Sequence, residues 1–237
     1  TVGSVYKLTF RQLSGRWRLL ITVLLTALPV IMGVVHTLVE DAPPDHDFQT
    51  GVVGMLAGVI LPLVVLAIAS AAFTNEIEDR TLANLTLTPI PRWKIILPKL
   101  LGAISVAAPM IAISGILTGY FIYEGDVQAI ASLAVGAVVA VVLYSVVFTW
   151  AGIMTTKAIG FGLLYVFLWE VTLSQIVPGV RFLSFNHYSM SIMQAIDERR
   201  FVDEDMLSTG VAIGASVGVF VIFLLLSVRR LRRMDVP

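Results

Sequence analysis

The sequence predicts an all-α polytopic membrane protein, because it is unusually apolar and its apolar residues come in long runs. Of the 237 residues, 57% are hydrophobic and only 14% are charged, against about 25% charged residues in ordinary soluble domains. A soluble fold of this size must present polar groups over much of its outer shell, and this composition supplies too few of them. A lipid bilayer, acting as the solvent, removes that requirement.

Six apolar segments reach the length of about 20 residues that a helix needs to cross a bilayer. These predicted spans cover residues 19–39, 51–73, 100–123, 129–154, 159–177 and 207–228. No low-complexity linker separates them, and no repeat of about 20–50 residues is visible. We therefore expect residues 1–237 to form a single transmembrane domain.

The basic residues predict how the spans are oriented. With the N-terminus inside, nearly all Lys and Arg residues fall in the inner segments, and such an excess marks the cytoplasmic side. We therefore expect a multi-pass protein of the inner or plasma membrane with both termini in the cytoplasm. The outer loops hold Arg181, Arg199 and Arg200, and the inner segments hold Lys7, Arg11, Arg16, Arg18, Arg80, Arg92, Lys94, Lys99, Lys157, Arg229, Arg230, Arg232 and Arg233.

Residues 1–18 predict an amphipathic helix that lies in the inner membrane interface. Tyr6, Phe10 and Leu13 recur at helical spacing, and the same stripe continues through Trp17 and Leu20. Basic residues occupy a neighbouring stripe, where they can face anionic lipid headgroups. The lipid bilayer is therefore an expected partner of this segment.

Residues 74–99 form the longest inner connection and predict short helices at the membrane surface. Thr74 or Asn75 can serve as the N-cap of a helix, and the acidic residues that follow suit its first turn. Pro89 should end that helix, and Pro91 can begin a second one. Pro98 should then interrupt the approach to the third span.

Residues 178–206, between the fifth and sixth predicted spans, are too apolar for a simple exposed loop. Side chains such as Phe182, Phe185 and Tyr188 would be costly to leave in water. We expect this segment to re-enter the outer leaflet, where other helices shield it from lipid.

Glu170 is the ionisable residue that lies well inside a predicted span. It lies ~18 Å from the inner end of the fifth span at ~1.5 Å per residue, near the middle of a ~30 Å hydrocarbon core. A carboxylate at that depth is costly unless it is protonated, paired or hydrated. Two interpretations stay open: a hydrogen-bonded packing role, or a place on a translocation path with Trp169 beside it.

Sequence motifs for catalysis are absent from the chain. It contains no GxxxxGK[ST] nucleotide-binding loop, no HExxH and no GxSxG, and its three His residues are isolated. It also contains no cysteine, which excludes disulfides and thiolate metal sites. We expect no enzymatic activity of the chain itself, no catalytic residues, no metal and no nucleic-acid partner.

The segment from Phe73 to Arg92 resembles the ABC type 2 permease family. An acidic stretch, a Thr-Leu pair, a further Leu, a Pro and basic residues ahead of the third span carry this resemblance, although Arg80 stands where the family usually has Gly. The six spans, the interfacial helix, the outer re-entrant segment and the basic tail extend it over nearly the whole chain. The matching residues are Glu76, Glu78, Thr81, Leu82, Leu85, Pro89, Arg92 and Lys99.

The resemblance implies the six-helix transmembrane permease subunit of an exporter. It implies a second copy of the permease and two ABC ATPase subunits, which would hold the ATP and Mg²⁺ while this chain holds no cofactor. A cytoplasmic coupling helix, residues 75–87 here, would enter a groove of the ATPase, and the substrate would be a drug, a lipid or another amphipathic compound. The implied ATPase contacts are Glu76, Glu78, Asp79, Arg80, Thr81, Leu82 and Leu85.

An ATP-independent six-helix secondary transporter, or a membrane scaffold, is the alternative class. Secondary transporters usually show internal repeats and broken helices near the midplane, and neither is visible in the sequence. Glycines at four-residue spacing permit close helix packing, either within the chain or between two copies. They include Gly115 and Gly119 in the third span, and Gly210, Gly214 and Gly218 in the last.

Overall fold

The computed structural model describes residues 2–39, 44–78, 91–155, 157–174, 183–201 and 206–233, and the backbone alone for residues 75–78. All regular secondary structure in these ranges is helical, and two segments of π-helix interrupt the α-helices. The α-helices are α1 Val2–Leu13, α2 Arg16–Val39, α3 His46–Met55, α4 Leu61–Ala69, α5 Ala71–Glu78, α6 Trp93–Ile122, α7 Val127–Met154, α8 Ala158–Leu164, α9 Phe185–Ile196 and α10 Thr209–Arg233. The π segments are π1 Leu56–Ile60, between α3 and α4, and π2 Tyr165–Leu173, after α8.

Within the described ranges, five helical stretches are long and apolar enough to cross a membrane. This confirms a polytopic all-α membrane protein. The predicted span 159–177 corresponds to a shorter apolar helix, Ala158–Leu173, and residues 175–182 lie outside the described ranges. The sixth span therefore stays a prediction. The five long stretches are Arg16–Val39, His46–Thr74, Trp93–Ile122, Val127–Met154 and Thr209–Arg233.

Helix α7 forms the centre of the bundle and packs against α4, α5, α6, α8, α9 and α10. Its N-terminus is capped by Asp126, whose carboxylate accepts the backbone N–H groups of Gln128 and Ala129 at 3.1 and 3.4 Å. Farther along α7, the buried rings of Tyr144 and Phe148 stack with their centroids 5.7 Å apart. Most of α7 is buried, and its exposed positions, such as Val135, are apolar as well, so the sequence is apolar around the whole helix.

Glycines set the closest helix crossings in the bundle. Near the C-terminus of α7, a Cβ added to Gly152 would lie 2.5 Å from the carbonyl oxygen of Ser70, the residue between α4 and α5. In α6, Gly119 packs against Ile130 of α7, which confirms packing within the chain for that glycine pair. The three glycines of α10 make no such close contact. Nothing in the described residues lies within 4 Å of the Cβ positions at Gly210, Gly214 and Gly218.

The N-terminal segment forms two helices where the sequence predicts one continuous stripe. Helix α1 ends at Leu13 and α2 begins at Arg16, with Gly15 between them. Glycine is unfavourable inside a helix, which accounts for the break. The predicted stripe from Tyr6 to Leu20 is therefore divided between two helices, with Leu13 buried and Phe10 and Trp17 exposed, and a position of α1 in the membrane interface stays a prediction. Helix α1 packs mainly against α6.

The inner connection is shorter than predicted. Helix α6 begins at Trp93 and continues through Pro98, so the predicted separate second helix and a break at Pro98 are wrong, whereas a kink at Pro98 stays a prediction. Pro98 removes a single backbone hydrogen bond in the second turn, and the buried side chains around it hold the helix in place. Thr74 lies inside α5 rather than at its N-cap, and its hydroxyl donates to the carbonyl of Ser70 at 2.9 Å.

Candidate functional site

The predicted ATPase contacts follow the inner end of the second span. Helix α4 passes through one turn at Ser70 directly into α5, which the structure describes as far as Glu78. The side chains of Glu76 and Glu78 lie outside the described residues. So do Asp79, Arg80, Thr81, Leu82 and Leu85, and their predicted roles remain predictions.

Lys99 joins the two ends of this inner connection. It lies in α6 and is fully buried. Its ammonium group donates to the carbonyl of Ala72 in α5 and lies 4.5 Å from the ring centroid of Phe73. A cation over an aromatic face is attracted by the ring quadrupole. The start of the connection, after the second span, and its end, before the third, are thereby held together.

The side chain of Glu170 lies in π2 and is 2% exposed. One carboxylate oxygen, Oε1, accepts the hydroxyl of Tyr165 at 2.8 Å and the backbone N–H of Phe185 at 3.0 Å. The other oxygen, Oε2, accepts the hydroxyl of Ser184. Tyr144 lies near enough to interact electrostatically with the same carboxylate. These donors give hydrogen-bond partners to both oxygens of a carboxyl group that would be costly to bury without them.

The π-helical backbone helps to assemble this cluster. A π-helix shifts its hydrogen bonds from four residues to five, and the N–H of Ser174 accordingly bonds to the carbonyl of Trp169. The hydroxyl of Thr172 likewise donates to the carbonyl of Phe167, five residues earlier. Tyr165 and Glu170 are also five residues apart, so the π register favours their contact. Single π turns occur frequently at functional sites.

Glu170 contacts the N-terminus of α9. Ser184 is the N-cap of that helix, and its hydroxyl oxygen accepts the backbone N–H of His187 at 3.2 Å. The first backbone donors of a helix have no partner within the helix, and a negative charge there is favoured by the helix dipole. Glu170 therefore supplies an acceptor, from a different helix, for the buried start of α9.

Three buried polar atoms near Glu170 have no hydrogen-bond partner among the described residues. They are the Tyr144 hydroxyl, Nε1 of Trp169 and Oδ1 of Asn186. Buried polar groups without partners are uncommon in folded proteins and call for an explanation. The structure thus places Glu170, which was predicted from the sequence, in a buried polar cluster, whereas the predicted role of Trp169 beside it stays a prediction.

A second polar cluster lies at the N-terminus of α7. Arg200, which follows α9, donates from Nε to Asp126 at 3.3 Å, and its guanidinium lies 5.1 Å from the ring centroid of Tyr123. Desolvation alone would raise the pKa of Asp126. The N–H donors that it caps and the guanidinium of Arg200 nevertheless hold that pKa below its ordinary value. Asp126 is therefore charged at neutral pH.

The sequence does not reveal the partners of Glu170 and Lys99. Ser184 and Phe185 are fourteen and fifteen residues away from Glu170, and Ala72 is 27 residues away from Lys99. The one available signal is that Ser184 is a suitable N-cap residue ahead of an apolar helix.

The fold and its sites define the class of this protein: a bundle of long apolar helices that crosses a membrane several times and encloses a buried polar cluster. The chain matches, over residues 5–236, the family described as ABC-2 family transporter protein, and it belongs to that family. The resemblance found in the sequence is thereby confirmed. No curated protein matches the chain significantly.

Membership of this family identifies the chain as a membrane transport component of an ABC system. Permeases of the family associate with ABC ATPase subunits and are generally not catalytic themselves.

Proposed function

We propose that the chain is the permease subunit of an ABC exporter. It moves a drug, a lipid or another amphipathic compound outward, and two separate ATPase subunits supply the energy and hold the ATP and Mg²⁺. The observation that carries this proposal is the direct continuation of the second span through α4 into α5, which leads to the inner segment that matches the family motif. A force that the ATPase exerts on that segment would be transmitted to the second span through α5 and α4.

The coupling helix in this proposal comprises residues 75–87. The two ends of the inner connection that contains it are held together by Lys99, because this side chain of α6 bonds to Ala72 of α5. Gly152 packs on Ser70 at the same end of the bundle. A movement of the coupling helix would therefore be passed to α6 and α7 as well as to α4.

We also propose that the chain has six spans and lies in the inner or plasma membrane, with both termini in the cytoplasm. The charges of the described helices support this orientation. The last turn of α10 carries Arg230, Arg232 and Arg233, and the start of α2 carries Arg16 and Arg18. The opposite ends of α2 and α10 lack such clusters, as the positive-inside rule requires.

Glu170 and Trp169 line the translocation path in this proposal. In the conformation described, the carboxylate is enclosed by its donors, so the path reaches it when α9 and π2 separate. The Tyr144 hydroxyl and Trp169 Nε1, which have no hydrogen-bond partner among the described residues, would then be available to a polar group of the substrate. A carboxylate in an apolar path favours a lipophilic cation.

The path assignment is tested with a lipophilic cationic dye as the probe. Glu170→Gln keeps the size and an acceptor oxygen but removes the charge. We expect it to lower dye export by about tenfold or more without changing the amount of assembled complex. Unchanged dye export by Glu170→Gln contradicts a role for the charge in the path.

A second copy of the chain completes the membrane pore in this proposal. The outward face of α10 supports it, because Gly210, Gly214 and Gly218 leave open space for another helix. Single cysteines on this face should form disulfides between copies, and the chain has no native cysteine to interfere. A failure of Gly214→Cys to cross-link, in a complex shown to contain two copies, excludes this face as the seam.

Charge reversal in the coupling helix tests the proposed function as a whole. Combined Glu78→Lys and Asp79→Lys substitutions should abolish both ATPase co-purification and permease-dependent ATP hydrolysis. Glu198→Lys is the matched control, because it reverses an exposed acid beyond α9 and should leave both measurements unchanged. Intact co-purification and hydrolysis after the double reversal would favour the ATP-independent alternative.

A further inference from the structure

Helix α9 is fastened to α7 along its whole length. The amide of Gln128 donates to the carbonyl of Ile196 at 2.7 Å, and the hydroxyl of Ser132 donates to the carbonyl of Met193 at 2.7 Å. One turn deeper, the hydroxyl of Ser189 donates to the carbonyl of Gly136 at 2.8 Å. The three α7 positions are four residues apart, so they lie on one face of that helix.

Side-chain packing reinforces this contact. A Cβ on Gly136 would overlap the side chain of Met193, so the absence of a side chain lets α9 approach α7 closely. At the inner end, the rings of Tyr144 and Phe185 meet edge to face with centroids 5.5 Å apart. Close contact and repeated hydrogen bonds along two helices produce a unit that moves as one body.

The outer end of α9 is tied to the same helix. Arg199 donates from its guanidinium to Oε1 of Gln128 at 2.9 Å. Arg200 forms its ion pair with Asp126, the N-cap of α7. Both ties therefore hold α9 to α7.

The inner end of α9 contacts the two π segments, and this contact differs in kind from the contact between α9 and α7. Its polar link to π2 is the Glu170 carboxylate, which accepts from Ser184 and from the N–H of Phe185. Its contact with π1 is close, because a Cβ on Gly58 would lie 3.6 Å from Nδ2 of Asn186. The two π segments also pack against each other.

We infer that Glu170 is a positioning residue that forms a releasable joint between the π segments and a rigid α7–α9 unit. The α7–α9 contact has hydrogen bonds at several levels, whereas the hydrogen bonds described above for the joint converge on one carboxylate. A displacement of the π segments therefore opens the joint before it separates α9 from α7. π-helical turns provide a backbone that can change register locally. The ATP-driven part of this inference rests on the proposed function.

Engineered disulfides measure the two contacts separately, and the absence of native cysteine keeps the background clean. The pair Gly58→Cys with Asn186→Cys reports on the joint. The pair Gly136→Cys with Met193→Cys reports on the α7–α9 contact. In both pairs the two side chains face each other, because a Cβ at Gly58 would lie 3.6 Å from Nδ2 of Asn186 and one at Gly136 would overlap the side chain of Met193. A slower oxidation of either pair in a variant shows that its contact is closed less often.

The first arm uses the full-length permease in lipid nanodiscs and needs no ATPase. Glu170→Ala should slow oxidation of the joint pair roughly tenfold, since it removes hydrogen bonds to a charged group, and should leave the α7–α9 pair unchanged. Glu170→Gln should restore most of the rate, because its amide oxygen can accept from Phe185. A general loss of structure would slow both pairs.

The second arm uses the complex with its ATPase, compared without nucleotide and after trapping with ATP and vanadate. Trapping should slow the joint pair severalfold and leave the α7–α9 pair unchanged. Equal effects of Glu170→Ala on both pairs, or trapping that slows the α7–α9 pair, would overturn the inference. If trapping changes neither pair while the first arm gives the expected result, the joint stands and its link to the ATP cycle is overturned.

Discussion

The crossing of Gly152 over Ser70 gives a prediction with a defined magnitude. In Gly152→Ala, the new Cβ would lie 2.5 Å from the carbonyl oxygen of Ser70, whereas C···O contacts are ordinarily about 3.3–3.6 Å. The carbonyl must therefore retreat by about 1 Å. It accepts the N–H of Thr74 at 3.2 Å and the hydroxyl of the same residue at 2.9 Å, so this retreat disturbs both bonds.

The expected cost follows from two opposing effects. Overpacking of a closely packed site typically costs about 1–3 kcal/mol. Replacing glycine by alanine inside a helix returns about 0.5–1 kcal/mol. The net loss ranges from about 0 to 2.5 kcal/mol and is centred near 1 kcal/mol, which corresponds to a fall of about 2–4 °C in the thermal midpoint for a chain of this size.

Thermal unfolding of the purified permease, followed by size-exclusion chromatography of heated samples, measures this change. Gly160→Ala in α8 is the matched control, because nothing lies within 4 Å of its Cβ position. Its midpoint should equal or slightly exceed that of the wild type. Equal midpoints for Gly152→Ala and Gly160→Ala would refute the argument that this crossing leaves no room for a side chain.

Three further predictions concern the other contacts. Lys99→Met should lower the free energy of unfolding by about 1–3 kcal/mol, because it removes a buried charged hydrogen bond. The control Lys157→Met, at an exposed position, should change the free energy of unfolding by less than about 0.5 kcal/mol. Equal denaturation midpoints for the two variants would contradict the bond between Lys99 and α5. The ion pair between Arg200 and Asp126 should be fully formed at pH values above 3.8, the ordinary pKa of Asp. It should be lost as the pH falls through the lowered pKa of Asp126 in the folded state. Hydrogen exchange of α9 should show that loss in the wild type, and Asp126→Asn should remove the pH dependence. Ser132→Ala should cost about 0.5–1.5 kcal/mol, measured by the same thermal assay, and a cost near zero would contradict its bond to α9.

The spans were the most predictable part of the fold. A run of about 20 apolar residues has few alternatives to a membrane helix, and the long helices of the structure overlap five of the six predicted spans. Their ends were less predictable. Pro98 and Thr74 have local preferences that favour a helix end, yet both lie inside helices because buried neighbours stabilise the longer helix.

The polar cluster was predictable only in part. The depth of Glu170 in an apolar run marks it as a residue that needs partners. The identity of those partners depends on how α9 folds back along α7, and on the π register that brings Tyr165 to the carboxylate. Neither leaves a local signal in the sequence, since both arise from contacts between distant elements.

Photo-crosslinking from the coupling helix tests the central claim most directly, namely that a separate ATPase drives this permease through residues 75–87. A photoreactive amino acid placed at Leu82 should form an adduct with a protein that mass spectrometry identifies as an ATPase with a nucleotide-binding loop. The same amino acid at Leu183, which is exposed ahead of α9, should form no such adduct. Absence of the ATPase adduct at Leu82, in membranes where the complex is active, would contradict the account.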